Sequence, residues 1–338
     1  MMTESVLTGL AKANRGISSM RILVTGGSGF IGSHFVRLLL REQEHTVINI
    51  DKLTYAGNKD NLKDVEQNSR YRFVKGDICD GRLVLQLAGE ADAIVNFAAE
   101  THVDRSIRRA QPFVRTDVLG VHVLLDAARA HGIKKFIHIS TDEVYGSIGQ
   151  GSFTEDSPLL PNSPYAASKA GGDLLVRSYY HTYGIPVLIT RSSNNYGPYQ
   201  HPEKFIPLFI TNLIQGKKVP LYGDGLNVRD WLHVEDNCEA IHTVLKKGKP
   251  GEIYNIGGEC EKRNKEVVRM MLDNLSLGEE YVSLVPDRLG HDRRYSLNIE
   301  KMKKLGWKPR IAFKEGLAKT IEWYKQHEQW WKPLKKNQ

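Results

Sequence analysis

Short runs of apolar, β-branched residues alternate along this chain with longer stretches whose apolar positions recur every three or four residues. Ile22-Leu23-Val24 is the first run and reads as a strand buried on both faces. Phe30-Ile31, Phe35-Val36 and Leu38-Leu39-Leu40 follow at helical spacing. Thr46–Ile50, Tyr71–Val74, Ala91–Ala99 and Lys135–Ser140 are the next four strand candidates. Residues 116–131 predict a long amphipathic helix with Val118, Val121, Leu124, Leu125 and Ala128 on one side. Strand and helix in strict alternation, with short connections, predict an α/β fold around a doubly wound parallel sheet.

The texture changes at Asn194-Asn195-Tyr196-Gly197-Pro198, where turn residues dominate. Proline, glycine and aromatic residues stay frequent through Asp230. A helix–strand pair at 234–256 follows, and Glu252–Ile256 reads as a late strand of the first sheet. The expected organisation is an extension at 1–19, a first domain at 20–193 to which 231–256 returns, a smaller discontinuous α/β lobe at 194–230 and 257–330, and a basic tail at 331–338.

Composition narrows the function classes. Hydrophobic residues at 41% and charged residues at 25% are ordinary for a globular protein. The formal net charge is +8, but the basic residues are scattered apart from Lys332, Lys335 and Lys336. No aromatic–basic stripe suggests nucleic acid, whereas a modest positive excess suits a phosphate-bearing small molecule. Cys79, Cys238 and Cys260 lie far apart and fit no disulfide or zinc pattern, which points to a reducing, cytoplasmic compartment. The twelve histidines form no metal-binding spacing, so no metal is expected. Val6-Leu7 and Leu10 are too few for a signal segment, Met20 is an alternative start, and no run is long enough for a bilayer.

Gly26, Gly27, Gly29 and Gly32 sit between the first strand and the first helix. A turn of residues lacking Cβ lets backbone N–H groups approach a pyrophosphate, and the helix N-terminus adds positive potential. Asp51 ends the second strand about twenty residues on, where a carboxylate accepts from an adenine ribose. An aspartate there favours NAD over NADP, whose 2′-phosphate it would repel. Asp77, at the end of the third strand, either meets the adenine amino group or caps the next helix. Ala98-Ala99 leave room for a flat cofactor.

Two further stretches carry reactive groups. The fifth strand runs into Ser140-Thr141-Asp142-Glu143-Val144-Tyr145-Gly146. Ser163-Pro164 then reads as a helix N-cap and first turn, placing Tyr165 and Lys169 on one helix face. A phenol near its reference pKa of ~10 is a poor base at neutral pH. A neighbouring ammonium, with the positive ring of an oxidised nicotinamide, draws it toward neutrality.

Gly26-x-x-Gly29-x-x-Gly32 with Tyr165-x-x-x-Lys169 resembles the extended branch of the short-chain dehydrogenase/reductases, a Rossmann-type group. Within it, 96–106, 140–146, 194–200, 227–236 and 287–295 resemble the dTDP-glucose 4,6-dehydratases, the likeness running from about 20 to about 325. Thr141-Asp142-Glu143 is the narrow motif, because epimerase relatives usually lack the acid pair. The resemblance implies transient oxidation of the sugar at C4 by NAD with Tyr165 as base, elimination across C5 and C6, and hydride return to C6. It implies Glu143 as the C5 base, Asp142 as the C6 acid and Thr141 as a contact to the C4 oxygen. It implies cofactor contacts from Gly26, Gly29, Phe30, Ile31, Gly32, Asp51, Asp77, Ile78, Ala98, Ala99, Thr116, Tyr165, Lys169 and Asn195. For the nucleotide sugar it implies Thr101, Thr141, Asn194, Lys204, Arg229, Asn264, Arg288 and His291. It also implies a homodimer built by 116–131 and 165–183, and a role in deoxysugar synthesis such as that of dTDP-rhamnose. The rivals are a 4-epimerase, another nucleotide-sugar dehydratase, or a non-catalytic NAD-binding regulator. The acid pair argues against the first, and the retained Tyr165 and Lys169 against the last.

Overall fold

A computed structural model describes residues 19–42, 45–287 and 290–336. The expected extension at 1–19 therefore lies outside the described residues except for Ser19, and so does Arg288.

Seven strands form one parallel sheet. They are β1 (Arg21–Thr25), β2 (Thr46–Asp51), β3 (Tyr71–Lys75), β4 (Ala93–Asn96), β5 (Lys135–Thr141), β6 (Val187–Ser192) and the later β10 (Ile253–Ile256). Their order is β10-β6-β5-β4-β1-β2-β3, and every neighbouring pair is parallel. The chain builds outward from β1 to β3, then returns to lay β4 on the other side of β1. That reversal opens a crevice at the carboxyl ends of β1 and β4. The fourth strand is shorter than the sequence suggests, because Phe97-Ala98-Ala99 leave the sheet to line the crevice.

Alternate side chains of each strand face opposite layers. Ile22 and Val24 pack with α1 (Phe30–Arg41), while Leu23 and Ile48 pack with α2 (Gly81–Ala88) and α3 (Val121–Ala130). Ser163 accepts from Ala166 N–H at 3.1 Å to cap α4 (Pro164–Tyr183), as its sequence predicts, and Gly184 at φ 69° ends it. The stretch 114–120 before α3 is wound as a π-helix (Val114–Gly120), not as the plain α-helix expected.

The second lobe has its own core. Tyr196, Trp231, Met271, Tyr324 and Trp331 are buried together there. It holds α5 (Phe205–Ile214), the parallel pair of β8 (Val219–Tyr222) with β12 (Val282–Val285), and a three-stranded sheet. In that sheet β9 (Val228–His233) lies between β7 (Asn194–Tyr196) and β11 (Glu261–Arg263). Between β9 and β10, α6 (Val234–Lys247) crosses back onto the first sheet. Helices α7 (Asn264–Leu275), α8 (Phe313–Gln326) and α9 (Glu328–Lys336) complete the lobe. Within the expected basic tail, α9 carries the fully buried Trp331.

Candidate active site

Two cavities meet where the second lobe faces the carboxyl ends of the sheet. The first, of about 320 Å³, is lined by every one of the fourteen expected cofactor contacts and by Thr141, Asp142 and Glu143. The second, of about 500 Å³, lies in the smaller lobe and is lined by Arg229, Asn264 and His291. Thr101, Glu143, Asn194 and Lys204 line both. The sequence-derived residues are thereby brought together, with Arg288 outside the description.

The glycine turn fits a dinucleotide. Gly26 has φ 68°, and a Cβ on it would stand 2.7 Å from Ala98 N. A Cβ on Gly32 would stand 2.3 Å from Gly26 O, so helix and turn can touch only without side chains. Asp51 takes Ser28 N–H at 2.9 Å and Leu53 N–H at 2.8 Å, and burial pushes its carboxyl up despite both bonds. Each carboxylate oxygen keeps a second lone pair for a ribose hydroxyl. Asp77 Oδ1 accepts from Cys79 N–H at 2.9 Å, and its Oδ2 pairs with Lys52 at 2.8 Å. The cap of α2 is Asp80, which accepts from Leu83 N–H at 3.1 Å, so Asp77 is free of that duty. These features fit NAD.

At the junction of the cavities stand the reactive groups. Thr141 caps a single 3₁₀ turn, Asp142–Tyr145, by accepting from Glu143 N–H at 3.3 Å, and its hydroxyl donates to Asp142 Oδ1 at 3.2 Å. Asp142 is 2% exposed and its Oδ2 has no protein partner. Burial, then the nearby Glu143 and Asp230, holds it well above the usual carboxylate range, which favours its protonated form. Glu143 is half-buried and faces both cavities. Asp230, on β9, is fixed by Gly258 N–H at 2.8 Å and Cys260 N–H at 2.7 Å.

Tyr165 and Lys169 share the buried face of α4. Lys169 Nζ donates to Ile139 O at 2.6 Å. The lowering of the Tyr165 pKa expected from this ammonium is not what the protein alone produces. Burial first, then Glu143 and Asp117, holds the phenol well above its ordinary value, and only the hydrogen bond with Thr141 opposes them. Burial also lowers Lys169, with Asp117 and Asp173 acting against it.

Sequence reasoning missed Asp117. It is 1% exposed in the π-helical turn, takes Ser168 Oγ–H at 2.8 Å and Glu100 N–H at 3.2 Å, and lies in the field of Lys169. Its signal was present, because 117, 121, 124 and 128 share one helix face on which the other three are buried and apolar. Glu203, Arg105 and Tyr55 were also missed. Arg105 pairs with Glu203 at 3.3 Å and lies 3.6 Å over the Tyr55 ring, an arrangement no spacing reveals.

The substrate-side residues are held as follows. Lys204 Nζ donates to Thr101 O. The Arg229 guanidinium lies 4.5 Å over Tyr295 and donates to Val228 O and Asp292 O at 2.8 and 2.9 Å. His291 pairs with Asp287 at 2.6 Å, and Asn264 N–H is fixed on Asn227 O at 2.9 Å.

Crevice, glycine turn and Tyr165–Lys169 pair define an extended short-chain dehydrogenase/reductase, and the second lobe marks one acting on nucleotide sugars. The model of the GDP-mannose 4,6 dehydratase family matches residues 23–320. A dTDP-glucose 4,6-dehydratase of Streptomyces niveus is 54% identical over 322 residues, covering 94% of this chain and 96% of that protein. The low-salt glycan biosynthesis protein Agl12 of Haloferax volcanii is 53% identical over 305 residues, covering 90% and 98%. The crystal structure of DesIV, a dTDP-glucose 4,6-dehydratase from Streptomyces venezuelae with NAD and TYD bound, superposes with a TM-score of 0.92 at 55% identity, covering 93% and 100%. The chain belongs to the dTDP-glucose 4,6-dehydratase family, whose members are NAD-dependent hydro-lyases.

Proposed function

We infer that this chain converts dTDP-glucose to dTDP-4-dehydro-6-deoxy-glucose and water. The observation that carries this is a buried Asp142 beside a half-buried Glu143, both lining the cofactor cavity with Tyr165, and Glu143 reaching the second cavity as well. The first domain holds the cofactor, and the lobe at 194–230 and 257–330 holds the nucleotide sugar. Arg229 has the planar, multi-donor shape suited to a diphosphate, and Arg288 is assigned the same role from sequence.

Bound NAD supplies the hydride acceptor for C4, the hydride donor for C6 and, while oxidised, a positive charge beside Tyr165. The Tyr165 oxygen takes the C4 hydroxyl proton, and Thr141 holds the C4 oxygen. Lys169, on the same helix face and fixed by Ile139 O, places its positive charge in the cavity that Tyr165 also lines. A ketone at C4 acidifies C5, whose proton passes to Glu143. Asp142 gives its proton to the C6 hydroxyl, which leaves as water. The dry setting separates the two carboxyls into acid and base. Glu143 then returns the proton to C5.

Among the described residues no helix is long and apolar enough to cross a membrane. A cytoplasmic setting is proposed, consistent with free thiols at Cys79, Cys238 and Cys260. A homodimer is proposed as well. Val114 and Leu119 on the π-turn and Leu174 on α4 are 53, 46 and 56% exposed, in the stretches expected to pair.

Incubation with dTDP-glucose and UDP-glucose in parallel tests the substrate. The expected result is an alkali-absorbing 4-keto-6-deoxy product from dTDP-glucose, with UDP-glucose turned over poorly. Equal turnover of both, or turnover of neither, contradicts the reading.

A further inference from the structure

The last helix reaches back over the molecule to the cofactor side. Trp330, on α9, donates its indole N–H to Asn61 Oδ1 at 2.9 Å. Asn61 is 1% exposed and donates its own amide to Ser28 O at 3.0 Å. Ser28 belongs to the glycine turn, and its N–H goes to Asp51 Oδ2. Two hydrogen bonds therefore connect the C-terminal helix to the turn that orients Asp51.

The other side of Trp330 packs on Trp323 and Tyr199, with ring centroids at 5.2 and 5.7 Å. Tyr199 has φ 64°, a left-handed conformation that is unfavourable for an aromatic residue unless its surroundings enforce it. Trp323 at 4.6 Å and the Arg37 guanidinium at 4.5 Å enclose its ring. The next residue, Gln200, lines both cavities, and its carbonyl accepts from the Tyr324 hydroxyl. One aromatic cluster thus braces the glycine turn and the segment at the junction of the cavities.

We propose that Trp330 and Asn61 form a clasp that retains the dinucleotide by fixing the Ser28–Asp51 arrangement of the glycine turn. The proposal rests on the NAD assignment above. A reaction that returns its hydride within each turnover consumes no cofactor, so slow release does not limit the rate. Release in mid-cycle would instead strand an oxidised sugar without its hydride. Trp330 and Asn61 act here as positioning residues through the backbone of the turn, since neither lines the cofactor cavity.

The test compares wild type with Trp330→Phe, Asn61→Ala, both together, and Lys332→Ala, a control on the same helix whose side chain pairs with Glu328 at the surface. NAD carried through purification is measured after acid release, and its rate of loss is followed on dilution into a trap of cofactor-free dehydrogenase. Trp330→Phe keeps a smaller ring against Tyr199 but removes the N–H, so release should quicken at least about five-fold, the effect of one hydrogen bond. Asn61→Ala should release at least as fast, and the double variant no faster than Asn61→Ala, because the indole acts through that amide. Lys332→Ala should match wild type, and cofactor-free Trp330→Phe should melt close to wild type, whereas the buried Asn61→Ala should melt lower. Release from Trp330→Phe at the wild-type or control rate overturns the clasp. So does faster release from Trp330→Phe matched by an equal loss of stability in its cofactor-free form. Wild-type protein that binds no NAD overturns the cofactor assignment and the clasp with it.

Discussion

Asp142 and Glu143 are neighbours in the chain but not in their surroundings. Asp142 is buried in the wall of the cavity, which raises its carboxyl well above the usual range, while Glu143 also lines the second cavity. A third carboxyl, Asp117, gives the residue scale its own prediction. Burial holds it up to about 7, against its contacts with Lys169, Ser168 and Glu100 N–H. In the unfolded chain it titrates near 3.8. Between those values the folded protein binds a proton that the unfolded chain releases, so this group's stabilisation is full below the lower value and is lost as pH rises through the upper one. Thermal midpoints of the cofactor-free protein should fall further between about pH 4.5 and about pH 8 for wild type than for Asp117→Asn. Equal falls would contradict the placement of Asp117. At the same scale, the position of Lys169 was legible from its spacing to Tyr165, but its bond to Ile139 O was not. That contact joins α4 to β5 across 30 positions and has no local trace.

Elements were more legible than contacts. Six strands of the parallel sheet are read from short apolar runs, while β6 (Val187–Ser192) goes unread although Val187-Leu188-Ile189 is such a run, as strands covered on both faces require. Ser163, Pro164 and Gly184 mark α4 by capping chemistry alone. The π-turn at 114–120 is invisible in the pattern, since its apolar positions also suit an ordinary helix. The glycine turn makes the strongest demand on sequence. Gly32→Ala would press a methyl against Gly26 O at 2.3 Å and Gly27 Cα at 2.8 Å, an overpacking that costs about 1–3 kcal/mol. The variant should be less stable by that amount in thermal melts and should purify with little NAD. Gly149→Ala, where nothing lies within 4 Å, should behave as wild type in both measurements. Wild-type behaviour of Gly32→Ala would contradict the close approach of helix and turn.

For the whole molecule, the arrangement is one sheet, one lobe and the proposed reaction divided between them. The sheet supplies Asp51, Thr141 and the α4 pair, and the lobe supplies Arg229, Asn264 and His291. The exposed apolar residues of the π-turn and α4 belong to this scale too. Leu119→Arg combined with Leu174→Arg should shift the sedimentation coefficient from dimer to monomer, and an unchanged coefficient would contradict pairing through these residues. The central claim is that Tyr165 opens the sugar to oxidation before the two carboxyls remove water. Single-turnover mixing of dTDP-glucose with NAD-loaded Asp142→Asn/Glu143→Gln, set against Tyr165→Phe, tests it most directly. The double variant should build up the absorbance of reduced nicotinamide without forming deoxyketosugar, and Tyr165→Phe should show neither. Normal dehydration by the double variant, or reduction of the cofactor in Tyr165→Phe, would contradict the account.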